Sequence, residues 1–123
     1  MIDNFRVLDL FSGAGGFSYG IDKNSHFKTL LALDFNENAL KTFKHNMPEA
    51  EIVVGDITDS EIKKTIVEKS KKYNINMIIG GPPCQGFSLK GKKLGLEDPR
   101  NFLFKEYLNI VESIQPEIFI IEN

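Results

Sequence analysis

The sequence predicts an α/β fold: an open, mainly parallel sheet with helices on both faces. Five short apolar runs alternate with helical-period segments or turns, and no internal repeat is visible. A glycine-rich turn, Asp34, Asp56 and Cys84 each follow the end of one of those runs. They therefore share the carboxyl-end rim, where open α/β sheets place their chemistry.

Residues 5–10, Phe-Arg-Val-Leu-Asp-Leu, read as the first strand. Phe11-Ser12-Gly13-Ala14-Gly15-Gly16 then forms a glycine-rich turn into a short helix. Glycines there let the backbone approach a ligand and aim helix amides at it. The spacing is not the dinucleotide pattern, because the third glycine directly follows the second. Residues 28–34 read as a second strand ending in Asp34. That carboxylate stands where a Rossmann-type site puts the acid that grips ribose hydroxyls, and it also suits the entry to the next helix. Asn36 is the expected cap of that helix; Ala39, Leu40, Phe43 and Met47 recur at helical spacing, and Pro48 stops it.

Glu51 to Val54 give a third strand, followed by Gly55-Asp56-Ile57. Thr58-x-x-Glu61 has the form of a capping box. Ile62, Ile66 and Tyr73 mark the apolar face of the helix it opens, with the lysines between them on a solvated face. Residues 76–79 are the fourth strand, and 89–100 form a glycine-bearing, locally positive loop. Leu103, Tyr107, Leu108, Val111 and Ile114 give the last helix stripe, ended by Gln115-Pro116. A fifth strand covers 118–123.

At 123 residues the chain suits one domain with a real core. Hydrophobic residues at 41% and charged residues at 26% are ordinary for a soluble globular protein. A net charge of −2 excludes a globally basic nucleic-acid coat, so any such contact must be local. No apolar run reaches membrane-spanning length, and no secretory pattern opens the chain. A single cysteine forms no internal disulfide, which points to a reducing cytoplasm.

That cysteine lies in Gly80-Gly81-Pro82-Pro83-Cys84-Gln85-Gly86-Phe87-Ser88, just past the fourth strand. Two prolines stiffen the approach, and a thiol presented this way suits a nucleophile better than a packing residue.

Asp9-Leu10-Phe11-Ser12-Gly13-Ala14-Gly15-Gly16, the Pro-Pro-Cys-Gln run and the closing Glu122-Asn123 resemble the cytosine-C5 DNA methyltransferases. They match that family's cofactor loop, nucleophile loop and Glu-Asn-Val element in order. The resemblance implies a Rossmann-like, S-adenosylmethionine-dependent methyltransferase sheet, with no metal, in a bacterial cytoplasm. It places Phe11 against the adenine, and Gly13, Gly15 and Gly16 beside methionine and ribose. Asp34 would bind the ribose hydroxyls, though the family usually has glutamate there. Phe35 would pack on the adenine, Asp56 and Ile57 would meet its edge, and Leu103 would close the pocket. Gln85, Ser88, Lys90, Lys92, Lys93 and Arg100 are the implied DNA contacts.

The implied chemistry needs Cys84 as a thiolate that adds to cytosine C6 and makes C5 nucleophilic. Glu122 is the candidate for protonating or hydrogen bonding N3, if its surroundings keep it protonated, and Asn123 for orienting that carboxyl. No histidine suits removal of the C5 proton, so water is the expected acceptor. The cytosine must be flipped out of double-stranded DNA. The family's target-recognition region and returning C-terminal helix have no counterpart here, and the last strand would stand at an open edge. The reading therefore expects a fold incomplete at its C-terminal side, in a truncated or split part of an enzyme. Alone it would be inactive or weakly active, and its partner would be the missing C-terminal part. A tRNA cytosine-C5 methyltransferase and a non-catalytic cofactor-binding half remain open. Cys84 in place of an aromatic argues against amino-methyltransferases, and the lack of a second thiol argues against a redox role.

Overall fold

The structure, a computed structural model, describes residues 4–82 and 101–122. The elements follow one another as β1 (Phe5–Leu10), α1 (Gly16–Ile21), β2 (Phe27–Asp34), α2 (Glu37–Asn46) and β3 (Glu51–Val54). After them come α3 (Ser60–Lys72), β4 (Met77–Gly80), α4 (Phe102–Ile114) and β5 (Ile118–Ile121). The strands lie in the order β3-β2-β1-β4-β5. Each neighbouring pair is parallel. The expected open α/β sheet is the observed one, and the carboxyl ends of its strands form a single rim.

The central strands carry near-continuous apolar runs because parallel strands are covered on both faces. On one face Leu8, Leu10, Leu31, Leu33 and Ile78 pack with Ile66 of α3 and with Tyr107 and Ile110 of α4. On the other, Ala32 packs with Leu40 and Phe43 of α2. Val7, Met77 and Ile79 pack there with Phe17 and Ile21 of α1.

Asn36 caps α2 as expected, accepting the Ala39 N–H at 3.0 Å. The capping box at α3 is corrected: the cap is Asp59, which accepts the Glu61 N–H at 2.8 Å. Thr58 is unavailable for capping because its hydroxyl donates to Asp56 Oδ1 at 2.7 Å. The lysines of α3 are not uniformly solvated either. Lys63 pairs with Glu106, and Lys69 with Glu51. The fifth strand stops at Ile121, two residues short of the expected end.

β4 and β5 are joined to α4 through Tyr107, a fully buried side chain whose hydroxyl donates to Ile120 O at 2.7 Å. Burial, with a smaller contribution from the charge of Asp9, raises the Tyr107 hydroxyl above the usual phenol range. The ring fits only because residue 80 is glycine. A Cβ at Gly80 would lie 2.5 Å from Leu10 O and 2.7 Å from the Tyr107 ring. Gly80→Ala is therefore expected to cost about 1–3 kcal/mol as overpacking against backbone. Urea denaturation measures it, and an unchanged midpoint would show that ring and strand yield freely.

Candidate functional site

β1 runs into the glycine turn through Phe11, whose φ of 58° is left-handed. Such a backbone costs a non-glycine residue about 1–2 kcal/mol and persists where surrounding structure imposes it. The turn is anchored to β2: Ser12 N–H donates to Leu33 O at 3.2 Å, and Gly13 N–H to Asp34 Oδ2 at 2.8 Å. Asp34 Oδ1 accepts the Asn36 N–H at 2.9 Å. Asp34 O accepts the Gly55 N–H at 3.0 Å, which brings in the loop after β3.

These anchors enclose a cavity of about 340 Å³ at the rim. Phe11, Asp34, Phe35, Asp56, Ile57 and Leu103, all expected from the sequence, line it together. Phe35 is 77% exposed, so a large apolar ring stands at the mouth with little protein against it. Four further lining residues escaped the sequence reading: Leu33, Gly55, Thr58 and Phe102. Phe102 is 53% exposed and precedes Leu103 at the start of α4. Its absence from the buried stripe of that helix was the available signal.

The three glycines of the turn do not line the cavity wall. A side chain at Gly13 or Gly16 would meet nothing within 4 Å, so both border open space. Gly15 differs: its Cβ would lie 2.5 Å from the Phe43 ring and 2.6 Å from Met47. That glycine makes room for α2, and its φ of 92° also requires the residue type.

Charge on the rim is divided. Asp56 Oδ1 accepts both the N–H and the hydroxyl of Thr58, which hold its carboxyl below the usual range. Asp9, 3% exposed within β1, is pushed up to about 7 by burial. The Ser18 hydroxyl, donating to Asp9 Oδ2 at 2.6 Å, offsets part of that rise. The carboxylates of Glu122, Asp34 and Asp22 add to it. Glu122 is exposed just past β5, its N–H donating to Gly80 O at 2.7 Å. A Cβ on Gly81 would lie 3.3 Å from Glu122 O, so this residue stands beside the start of the proline–cysteine stretch.

Cys84, Gln85, Ser88, Lys90, Lys92, Lys93, Arg100 and Asn123 lie outside the described residues. Among the described residues no group of His, Cys, Asp and Glu could hold a metal ion. Among them, too, no helix is long and apolar enough to cross a membrane. A larger cavity, about 530 Å³, opens at the amino end of β2 beside Lys28 and Thr29. It contains none of the expected residues, and several of its polar groups satisfy one another. Asp22 accepts from Thr29, and Lys28 pairs with Glu49.

The family model for C-5 cytosine-specific DNA methylase matches residues 5–123. Type II methyltransferase M.AquIA from Picosynechococcus is 39% identical over 121 residues, covering 96% of this chain and 48% of that protein. Type II methyltransferase M1.HphI from Haemophilus parahaemolyticus is 40% identical over 122 residues, covering 98% of this chain and 32% of its own. A solved structure of a prophage-encoded E. coli protein, assigned as a DNA modification methyltransferase, aligns with a TM-score of 0.73 at 34% identity. It covers 96% of this chain and 31% of that one. The chain thus spans about half or less of the length of the relatives it matches.

The buried Asp9 carboxyl gives a measurable linkage. Its folded value, about 7, lies above the ordinary 3.8, so the folded state keeps a proton that the unfolded chain releases between those values. The stability it contributes is present at low pH and is lost as pH rises to about 7. Asp9→Asn removes the titration. The stability of the original chain relative to this variant should therefore fall by a few kcal/mol, on the order of 1.4 per pH unit, between about pH 4 and 7. Denaturation curves across that range check it, and a pH-independent difference would place the proton elsewhere.

Proposed function

Because the chain belongs to the C-5 cytosine-specific DNA methylase family, we propose that its rim cavity holds the nucleoside end of S-adenosylmethionine. The complete protein would then transfer a methyl group to C5 of cytosine in DNA. The observation that carries this reading is the convergence of Phe11, Phe35, Ile57 and Leu103 with Asp34 and Asp56 around one cavity. Apolar walls suit a purine ring, and a carboxylate suits the two hydroxyls of a ribose. Two backbone N–H groups occupy Asp34, which leaves acceptor capacity on both oxygens. At the base edge, Asp56 offers an ionised acceptor, and among the described residues the adjoining Ile57 N–H donates no hydrogen bond. That acceptor–donor pair complements the amino group and N1 of adenine.

Bound there, the cofactor would supply an electrophilic methyl group. The chain's own residues supply the rest of the proposed chemistry. The Cys84 thiolate adds to C6 of a flipped cytosine, and the C5–C6 electron pair moves onto C5. Once its surroundings in the complex hold it protonated, Glu122 donates a hydrogen bond at N3, relieving the charge that develops on the ring, and Asn123 orients it. After methylation the C5 proton passes to water and the thiolate leaves C6. Gln85, Ser88 and the cations Lys90, Lys92, Lys93 and Arg100 are assigned to the DNA strand. The carboxylates on the rim favour a cationic ligand over an anionic one, so phosphate contacts are assigned to that loop. The region that reads the target sequence belongs to the part of the complete protein beyond these residues.

Calorimetric titration with S-adenosylmethionine tests the cavity. Asp34→Ala should weaken binding about 10- to 100-fold, the worth of hydrogen bonds to a charged group. Unchanged affinity would remove Asp34 from the site, and no saturable binding by the complete, folded protein would remove the cofactor reading. The nucleophile is tested in the complete protein, assayed on DNA and tRNA in parallel. Cys84→Ser should abolish methyl transfer while leaving cofactor affinity within about twofold. Surviving activity would refute the thiolate mechanism.

A further inference from the structure

Thr58 was expected to cap a helix, but its polar groups are committed elsewhere. Its hydroxyl and its N–H both donate to Asp56 Oδ1, at 2.7 and 2.8 Å, while Asp59 caps α3. Thr58 and Asp56 both line the rim cavity. Taking the cavity as the nucleoside site, we propose that Thr58 is a positioning residue that aims the Asp56 carboxylate and so selects a 6-aminopurine over a 6-oxopurine.

Two donors converging on Oδ1 restrict rotation of the carboxylate. Among the described residues no protein donor reaches Oδ2, which stays available to a ligand. An ionised carboxylate only accepts hydrogen bonds. Beside it the Ile57 N–H only donates, so this edge of the cavity reads acceptor then donor. A 6-aminopurine presents the matching order, amino donor then N1 acceptor. A 6-oxopurine reverses both: its carbonyl meets the carboxylate and its N1–H meets the amide. A carboxylate free to swing could leave the carbonyl and accept from N1–H instead, recovering part of the binding. Pinning by Thr58 denies that escape, and selectivity arises from the unpaired polar groups of the wrong ligand.

The probes are S-adenosylhomocysteine and S-inosylhomocysteine, which differ only at positions 6 and 1 of the purine. The original chain should prefer the adenosyl compound by about 100-fold or more in calorimetric titration, the discrimination of a polar-paired site. Thr58→Val, which keeps shape and N–H but loses the hydroxyl, should narrow that ratio about fivefold or more. It should do so by weakening the adenosyl compound and strengthening the inosyl one. Thr58→Ser should hold the original ratio within about twofold. A ratio unmoved in Thr58→Val, or both affinities lowered by one factor, would overturn the proposal, as would loss of selectivity in Thr58→Ser. Thr58→Ala carries the same criteria should the valine variant not fold. Binding of neither compound by the complete protein would refute the nucleoside reading itself, an outcome distinct from binding with unaltered selectivity.

Discussion

The carboxylate of Asp34 accepts the Gly13 N–H on one oxygen, at 2.8 Å, and the Asn36 N–H on the other, at 2.9 Å. The rim is built outward from it. Its backbone carbonyl takes the Gly55 N–H, so one residue joins the turn after β1, the entry to α2 and the loop after β3. Charge-assisted hydrogen bonds of this kind are about twice as strong as neutral ones. They fix the turn before any ligand arrives, and a preformed loop need not be ordered at the cost of binding energy. Two readings of Asp34, ribose acid and helix-entry acid, competed in the sequence. The geometry shows that helix entry uses only one acceptor position on one oxygen, so the residue has capacity for both.

Most of the sheet was legible because its signals are local and redundant. Short apolar runs marked every strand, closed by glycine or an acid in all but the first, and the strand ends assembled the rim without knowledge of any contact. Six cavity residues followed from one resemblance, because the motif letters track backbone positions that a parallel sheet brings together. What escaped depends on contacts between distant segments. Gly15 stands in a glycine-rich turn that reads as ligand approach, and Gly80 in a stretch that reads as lying just past the fourth strand, yet each makes room for a side chain of another element, Phe43 and Tyr107. Thr58 matched a capping pattern by spacing alone, and only the position of the Asp56 carboxylate shows that its hydroxyl is already engaged. Phe102 lay outside the apolar stripe of α4, a position that periodicity assigns to solvent and the fold assigns to a cavity.

The two aspartates that differ most in ionisation, Asp9 and Asp56, differ chiefly in where they stand relative to the end of a strand. Asp9 is inside β1, one residue before its last, so pairing on both sides and packing on both faces strip it of water. Burial disfavours the charged form, and the single Ser18 hydroxyl offsets only part of that penalty. Asp56 stands two residues past the end of β3, exposed, with an N–H and a hydroxyl from the same following residue on one oxygen. Hydrogen bonds given to the charged form stabilise it, and the smaller loss of hydration only partly opposes them. A displacement of three residues relative to the strand end thus changes whether an aspartate is held up to about 7 or held below the usual carboxylate range. In a parallel sheet that displacement is set by register, which ties the charge of each group on the rim to the packing of the strands beneath it.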